Sequence, residues 1–330
     1  MAEFLTFDTE LTAVANAIRA KGGTSAQLVY PNGFVSAIQA IQTGITPKLV
    51  VTTTPGAAIT ATPAEGLKVV KGTAGTDGMC TLELPKAGTW NVTAMANSVS
   101  NSQHIVIGTQ NMLLPLYHNT FADNTWEEII AVCRTGITPD SWAVGDSKSM
   151  TIGGTAYQVD IIGKNHDEYA DGSGKAPLTF QLHDCYSEAK QMYYTDLIGL
   201  SWKNTDMRLT YLPAILALMP AEVQNGIRAV NKKTSEGDHS TTIETVSDTL
   251  FLLSEVEIFG TVRSSVPGEG IQYDYYKEGN PKIKKRESVD EFWWERSPAS
   301  SSMFCRVRDN GQAGASSASS SHGVSFAFCF

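Results

Sequence analysis

The chain has 330 residues, of which 42% are apolar and 18% charged, and its formal net charge at pH 7 is −9. This length predicts two or three domains, with enough apolar residues for a sizeable core. The acidic balance argues against general nucleic-acid binding, which needs a basic surface. The basic run Lys282–Arg286 is flanked by Glu278 and Glu287 and is interpreted as a solvated turn.

The five cysteines are scattered: Cys80, Cys133, Cys185, Cys305 and Cys329. Their odd number and the lack of a C-x-x-C spacing argue against a disulfide framework and against a zinc site. A bridge between Cys305 and Cys329 stays open, although two buried free thiols are the favoured interpretation. The sequence shows neither a signal peptide nor a run of about 20 apolar residues, so we expect no membrane insertion.

Residues 1–46 are predicted to form a helical hairpin. The first helix has apolar residues at helical spacing and ends at Gly22-Gly23; the stripe consists of Leu11, Val14, Ala15 and Ile18. The second helix is predicted around Phe34 to Ile41. Two helices of this length bury too little to stand alone. The segment from Leu11 to Ile41 resembles a helical element of phage tail proteins, which implies attachment to other tail or structural subunits through residues 1–46.

Residues 47–110 change in character, with many Thr, Val and Ala and with turns at regular spacing. The turn at Asp77-Gly78 leads into a strand that places Cys80, Leu82 and Leu84 on one face. About 60 residues of short strands predict a small all-β sandwich. The run TDGMCTLELPKAGTWNVTA resembles the immunoglobulin-like modules that act as spacers in bacterial and phage surface proteins.

Residues 111–330 are predicted to form an α+β domain, because helices and strands are mixed without βαβ repetition. A capping box at Thr125–Glu128 opens one helix, and Gly153-Gly154 indicates a hairpin. Further predicted elements are strands at Leu178–Leu182 and Leu250–Ser254 and helices at Met207–Leu218 and Ala221–Asn231.

The most informative stretch is the last 39 residues, 292–330. An aromatic and charged block, Phe292–Pro298, opens it, and an alternating strand, Gly323–Phe330, closes it. Because every second side chain of a strand points to the same side, the large apolar side chains of that strand would share one buried face. Between the two lie 24 residues, Ala299–His322, of which eight are Ser and four are Ala. Such small residues contribute little to a core, so the pattern predicts a rigid frame around a permissive surface, with a hairpin turn at Asn310-Gly311.

The pattern FWWERSP…FCRV…NG…GVSFAFCF resembles the C-terminal variable region of diversity-generating retroelement variable proteins. Members of that family carry a C-type-lectin-like fold and occur on phage tails and bacterial surfaces. A reverse transcriptase rewrites chosen codons, so that scattered side chains change on a fixed backbone. The stretches IIGKNHDEYADGSGKAPLTFQLHDC and DTLFLLSEVEIFG are similar to the body of the same fold. The resemblance therefore covers about two thirds of the chain.

The resemblance assigns two sets of residues in the variable region 292–330. The frame would consist of Trp293, Trp294, Arg296, Phe304, Val307, Gly311, Gly323, Val324, Phe326 and Phe328. The ligand-binding face would be drawn from Ala299, Ser300, Ser301, Ser302, Arg306, Arg308, Ala315, Ser316, Ser317, Ser319, Ser320, Ser321, His322 and Ala327. This face offers none of the Tyr and Trp residues that dominate protein paratopes, which predicts weak monomer affinity strengthened by avidity.

One cluster invites a metal or acid–base interpretation: His166, Asp167, Glu168, Asp171, His183 and Asp184. Its spacing matches no metal motif, and Asp and His in Gly-rich loops more often bond to backbone groups. No nucleophile elbow, phosphate-binding loop or dinucleotide fingerprint occurs. The sugar-binding triplets Glu-Pro-Asn and Gln-Pro-Asp of calcium-dependent lectins are also missing. We therefore expect no catalytic residues, no metal and no cofactor.

The expected function is non-enzymatic recognition of a host-surface protein or glycan by a phage tail or tail-fibre component. The protein would be made in a bacterial cytoplasm without a signal peptide and act in the virion or outside the cell. Tail fibres are often homotrimers. As a tail-fibre component, this chain would then also form a homotrimer. A bacterial surface adhesin of the same architecture is the alternative. A formylglycine-generating-type oxidase shares the fold but needs two neighbouring C-terminal cysteines, whereas Cys305 and Cys329 are 24 residues apart.

Overall fold

A computed structural model describes residues 3–22, 47–64, 68–107, 110–196, 199–238 and 240–330. The chain divides into two compact units, Met1–Leu114 and Pro115–Phe330. Strands are the main secondary structure in the described residues and helices are few. Among the described helices, none is both long enough and apolar enough to cross a lipid bilayer.

The first unit begins with a helix, α1, Glu3–Gly22. Ala15 and Ile18 of the predicted stripe are buried, whereas Val14 is 48% exposed. The helix confirms that this segment is helical, and its predicted end at Gly22-Gly23 stays a prediction because the residues after Gly22 lie outside the described ones. The second predicted helix, around Phe34 to Ile41, lies outside the described residues, so the helical hairpin stays a prediction.

The described part of the first unit continues with seven strands in two sheets. The strands are β1 Lys48–Thr52, β2 Ala58–Pro63, β3 Val70–Thr73, β4 Met79–Glu83, β5 Gly88–Ala96, β6 Val99–Ile107 and β7 Gln110–Leu113. One sheet has the order β4-β1-β7 and the other β3-β2-β5-β6. Only the β1–β7 pair among these is parallel. Because β7 pairs with β1, the first unit extends to Leu114, past the expected boundary at 110.

The two sheets of this unit approach each other at Gly72. A Cβ at Gly72 of β3 would lie 2.5 Å from Sγ of Cys80 and 2.8 Å from a methyl group of Leu82, both in β4 of the other sheet. A larger residue there would push the sheets apart. Cys80, Leu82 and Leu84 are all buried, which confirms the shared face predicted from their alternation.

The second unit contains many short elements, numbered in chain order. Its helices are α2 Trp126–Cys133, α3 Leu212–Leu216, α4 Ala221–Gly226, α5 Glu255–Phe259 and α6 Asp274–Lys277. Single turns of 3₁₀ or π helix lie at Phe121–Asp123, Trp202–Asn204 and Met207–Tyr211. Its strands are β8 Ser147–Ile152, β9 Thr155–Lys164, β10 Leu178–Leu182, β11 Val230–Ser235, β12 Ile243–Asp248, β13 Leu250–Phe251, β14 Lys284–Arg286, β15 Val289–Glu291, β16 Trp293–Pro298, β17 Met303–Val307, β18 Ala313–Ser317 and β19 Ala327–Cys329.

The core of the second unit surrounds an antiparallel five-stranded sheet of order β13-β19-β10-β9-β8. Phe180 of β10 is fully buried, and its ring centroid lies 5.2 Å from that of Phe328 and 5.4 Å from that of Phe330. Trp126 of α2 packs edge-on against the same Phe180 ring. The C-terminal aromatic residues thus occupy the centre of the core, where they fix the last strand.

Several predicted elements of this unit are confirmed. Thr125 and Glu128 form the predicted capping box of α2, with hydrogen bonds in both directions. Gly153 and Gly154, both with positive φ, form the turn between β8 and β9. A second capping box, between Ser254 and Glu257, opens α5.

Other predicted elements of this unit differ from the structure. The helix predicted for Ala221–Asn231 ends at Gly226, and Val230–Ser235 is a strand whose buried residues alternate. The helix predicted for Met207–Leu218 is a π turn followed by α3. The closing strand is only Ala327–Cys329, and residues 323–330 are all buried, so the burial does not alternate along the strand.

Candidate binding surface

The variable region predicted from the sequence forms an antiparallel sheet of order β16-β17-β18. The β17–β18 hairpin turns at the predicted Asn310-Gly311. There Gly311 has φ +80°, and its amide donates to the carbonyl of Arg308 at 2.8 Å. The hairpin places Ser317 opposite Met303 and Ser316 opposite Phe304. The small residues on both sides of the turn are therefore held in register by an ordered pair of strands.

The frame residues are buried, except Gly311, which is partly exposed. Trp293 and Trp294 are fully buried. Their indole N–H groups donate to the carbonyls of Lys282 at 2.9 Å and Lys190 at 2.8 Å. Each indole thus has a satisfied polar group, as buried tryptophans require. The two bonds tie β16 to segments before the variable region.

Arg296 anchors the same strand through a buried ionic network. Its guanidinium is fully buried, donates to both carboxylate oxygens of Glu257, and also donates to the carbonyls of Leu252 and Glu269. Lys232 lies 2.8 Å from Glu257 and 2.6 Å from Asp167. Burial alone would raise the pKa of Asp167, but the Lys232 ammonium holds it at about 2. Removing one member would leave another charge buried without its partner.

Gly323 closes the frame at a point where no side chain fits. A Cβ there would lie 2.5 Å from Sγ of Cys185 and 2.9 Å from Cγ of Glu291. Its carbonyl accepts a hydrogen bond from the amide of Trp294 at 3.0 Å. The glycine therefore lets the chain pass beside β16 on its way into the core.

The residues of the predicted ligand-binding face do not all reach the surface. Ala299 is 7% exposed and Ala327 is fully buried in β19, within the five-stranded sheet, so neither side chain is available to a ligand. Ser321 is exposed. The others are partly exposed: Ser300, Ser301, Ser302, Arg306, Arg308, Ala315, Ser316, Ser317, Ser319, Ser320 and His322. We call these partly exposed residues together with Ser321 the serine surface.

Backbone hydrogen bonds bring the two Ser-rich segments of the serine surface together. The amide of Ala318 donates to the carbonyl of Ser302 at 3.0 Å. Ala318 itself is fully buried and belongs to the apolar core. The loop Ser300–Ser302 and the end of β18 therefore form one continuous patch, with the buried Ala318 beneath it.

Two arginines, Arg306 and Arg308, belong to the same surface. The guanidinium of Arg306 stacks on the ring of Phe292 at 4.1 Å, and its Nε donates to the carbonyl of Ala315 at 3.2 Å. Arg308 passes over Gly314, where a Cβ would lie 2.8 Å from its Nε. In the described part of the chain, neither guanidinium forms an ion pair, and Nε of Arg308 is buried without a hydrogen-bond partner.

His322 lies between aromatic rings at the edge of the serine surface. Its ring centroid is 4.6 Å from that of Trp294 and 5.8 Å from that of Phe292. Burial, followed by the charge of Arg306, lowers the pKa of His322 to about 4. The imidazole is therefore neutral at pH 7 and contributes hydrogen bonding without charge.

A segment that the sequence did not single out borders the serine surface. Lys190 pairs with His322 through backbone bonds, and the amides of Met192 and Tyr193 both donate to the carbonyl of Ala318. The rings of Tyr193 and Tyr194 lie 4.6 Å apart, and Tyr194 is 62% exposed. In the sequence, the two adjacent tyrosines in QMYYTD could have indicated this segment as part of a binding surface. They supply the aromatic side chains that the serine surface itself lacks.

The His and Asp cluster noted in the sequence is dispersed among other bonds. Asp167 belongs to the buried network, and Nδ1 of His183 lies 2.8 Å from Asp160. In residues 115–196, 199–238 and 240–330, no three His, Cys, Asp or Glu side chains are placed to hold a metal ion together.

Cys305 and Cys329 lie in different sheets, on β17 and β19, and both are buried free thiols. Burial, followed by nearby carboxylates, raises the pKa of each thiol well above its ordinary value. Reactive cysteines need a lowered pKa and access to solvent. Neither thiol has these properties.

Comparison with known proteins adds a family match for the C-terminal part of the chain. Residues 181–330 match the profile of a family described as a domain of unknown function, DUF6273. This range begins within β10 and includes the buried ionic network residues from Lys232 onward and the whole serine surface. A search of curated proteins finds no match to the chain.

Proposed function

We propose that this protein is a non-enzymatic ligand-binding protein whose serine surface recognises a target on a host cell. One observation carries the proposal. A run of small and polar side chains stays partly exposed while the strands beneath it are fixed by Trp293, Trp294, Arg296 and Phe304, all fully buried. Such an arrangement tolerates changes in side chains without loss of the backbone conformation.

The finer fold assignments belong to this proposal. We propose that residues 115–330 are a C-type-lectin-like domain, on the resemblance of their C-terminal pattern and body segments. We propose that the two small sheets of residues 47–114 are an immunoglobulin-like spacer. Residues 1–46 would attach the protein to other tail or structural subunits. The described helix α1 would be part of such an attachment segment.

The target is proposed to be a host-surface protein or glycan, and the setting a phage tail or tail fibre. Tyr194, which is 62% exposed, and the partly exposed Tyr193 support contact with a protein, because accessible tyrosines supply binding energy at low entropic cost. With them included, the contact surface extends beyond the serine-rich residues. A bacterial surface adhesin would use the same surface.

The oxidase alternative is less well supported. It requires two neighbouring reactive cysteines, whereas Cys305 and Cys329 are in separate sheets and have raised pKa values. No observation favours it over ligand binding.

The test is to sequence this locus in several isolates and compare residues 292–330. We expect substitutions to concentrate at Ser300–Ser302, Arg306, Arg308 and Ala315–Ser317, and at Ser319–His322. The buried Trp293, Trp294 and Phe304 should not change. Substitutions spread evenly between frame and surface, or a serine surface identical in all isolates, would contradict the variable-binder proposal.

A further inference from the structure

A second candidate site lies away from the serine surface, in a cavity of about 490 Å³ in the second unit. The end of β9 and the two residues after it, one residue of α5 and the glycine that follows it, the segment before α6 and both ends of α6 contribute to its walls. None of the serine-surface residues lines it. Its volume falls within the range of about 300–1,000 Å³ that is usual for small-molecule sites.

Positive charge is concentrated at this cavity. Among the described residues, Lys164, Lys175 and Lys277 line it together with one carboxylate, that of Asp274. In the described part of the chain, the ammonium groups of Lys175 and Lys277 have neither a hydrogen bond nor an ion pair. For a protein with a net charge of −9, three lysines around one cavity are a marked local reversal of sign.

One of these ammonium groups is held in place. Nζ of Lys164 donates to the carbonyl of Pro139 at 3.1 Å and to the carbonyl of Trp142 at 2.8 Å. An ammonium group has three N–H donors, so one remains for a ligand. A charge that is already positioned loses less entropy on binding than a free lysine does.

The remaining lining combines neutral polar and apolar groups. The ring of His166 stacks on Tyr273 at 3.9 Å, and Nε2 of Gln272 donates to the carbonyl of Ile258 at 3.0 Å. Both side chains are therefore fixed. Ile271, 66% exposed, and Val256 provide apolar surface beside them. This combination suits a ligand with a charged group and an uncharged organic part.

We propose that this cavity binds a small phosphate monoester. Lysine is a common phosphate ligand, and a phosphate monoester carries close to two negative charges at neutral pH, which three ammonium groups opposed by one carboxylate complement. Lys164, Lys175 and Lys277 bind the phosphate oxygens, and Ile271 and Val256 contact the organic part. The site is independent of the function proposed for the serine surface.

The test is calorimetric titration of the purified full-length protein with inorganic phosphate, glucose 6-phosphate and glucuronate at low ionic strength. We expect saturable binding of both phosphates, tighter for glucose 6-phosphate, and much weaker binding of the carboxylate. Lys175→Gln and Lys277→Gln should each weaken phosphate binding by about tenfold, the effect of losing one charged hydrogen bond. Both lysines are exposed, so thermal unfolding without ligand should stay unchanged.

Two further variants make the test specific. Lys285→Gln removes an equal charge from an exposed lysine outside the cavity and should leave binding unchanged. Ile271→Ser should weaken glucose 6-phosphate binding and leave inorganic phosphate binding as it was. The proposal is overturned by an absence of saturable phosphate binding, by equal losses in Lys285→Gln and Lys175→Gln, or by glucuronate binding as tightly as glucose 6-phosphate.

Discussion

At the scale of single residues, Glu295 carries a fully buried carboxyl group. It lies in β16, between Trp294 and Arg296 in the sequence. Neither of its oxygens has a hydrogen-bond partner among the described residues. Burial, followed by the charges of Glu255 and Glu269, raises its pKa well above the ordinary value. The folded protein therefore retains a proton here that the unfolded chain releases above a pH of about 4.3.

We predict that Glu295→Gln stabilises the protein at neutral pH. Because the folded state binds more protons at this group, its contribution to stability is favourable below a pH of about 4.3 and is lost as the pH rises. Glutamine cannot ionise, so the variant should gain about 1–3 kcal/mol at pH 8 and much less at pH 4. Urea unfolding at both pH values measures this. Glu278→Gln, at an exposed position, is the control, and equal effects of the two substitutions would contradict the prediction.

Lys284 is a second buried group with a displaced titration. It lies in the basic run that the sequence indicates as a solvated turn, yet it is 3% exposed and donates to the carbonyls of Leu182 and His183. Burial lowers its pKa to about 8. The sequence could not show this, because the two carbonyls lie about one hundred positions earlier in the chain.

We predict a pH-dependent stability that disappears in Lys284→Met. Between a pH of about 8 and the unfolded value of about 10.4, the unfolded chain holds a proton that the folded protein has lost. Stability should therefore rise with pH across this window, by up to about 3 kcal/mol from this group. Chemical unfolding from pH 7.5 to 10.5 measures the slope. The exposed neighbour provides the control: Lys285→Met should keep the rise, and a rise that persists in Lys284→Met would disprove the assignment.

At the scale of elements, two positions at the end of β18 should differ in the side chains that they tolerate. Ser316 is partly exposed, whereas Ala318 directly after the strand is fully buried. We predict that Ser316→Tyr changes the free energy of unfolding by no more than about 0.5 kcal/mol. The same substitution at Ala318 should cost about 1–3 kcal/mol or more through overpacking. Denaturant unfolding of the pair makes the comparison, and similar losses at both positions would show that the serine surface is not permissive.

Local patterns were sufficient for some elements and not for others. The capping box at Thr125 and the Gly153-Gly154 turn were predictable because neighbouring residues alone determine them. The helix predicted through Asn231 failed because of a tertiary contact. Gly226 packs against Ile130, where a Cβ would lie 2.4 Å from the Ile130 side chain, and the chain then joins β12 as a strand. The segment Val230–Ser235 has only one apolar residue, so its sequence carries no period-two apolar pattern that would have indicated a strand.

The candidate surface, too, could be predicted only where local sequence patterns determine it. Its Ser-rich segments and its aromatic frame were visible in the sequence as one stretch. The contribution of Tyr193 and Tyr194 was not, because more than one hundred residues separate them from Ala318, whose carbonyl fixes their segment. Ala299 and Ala327 were indistinguishable from exposed alanines in composition, and only the packing of the strands shows that they are buried.

At the scale of the whole molecule, the second unit has a core that is complete in itself. The apolar cluster that extends from Phe121 to Phe330 includes the central sheet, the two indoles of β16 and Ala318 beneath the serine surface. A chain of this length buries about two thirds or more of the surface exposed on unfolding, which is sufficient for independent stability.

We therefore predict that a fragment of residues 115–330 folds without the first unit. It should unfold cooperatively, with a thermal midpoint close to that of the corresponding transition in the full-length protein, because the core and the buried network of Arg296, Glu257 and Lys232 lie within it. Calorimetry of the fragment and the full chain measures this. The variant Arg296→Met serves as a control, because it leaves Glu257 short of one partner and should abolish the transition in the fragment. A fragment that binds hydrophobic dyes and lacks a cooperative transition would show that the first unit is required for the fold on which the serine surface depends.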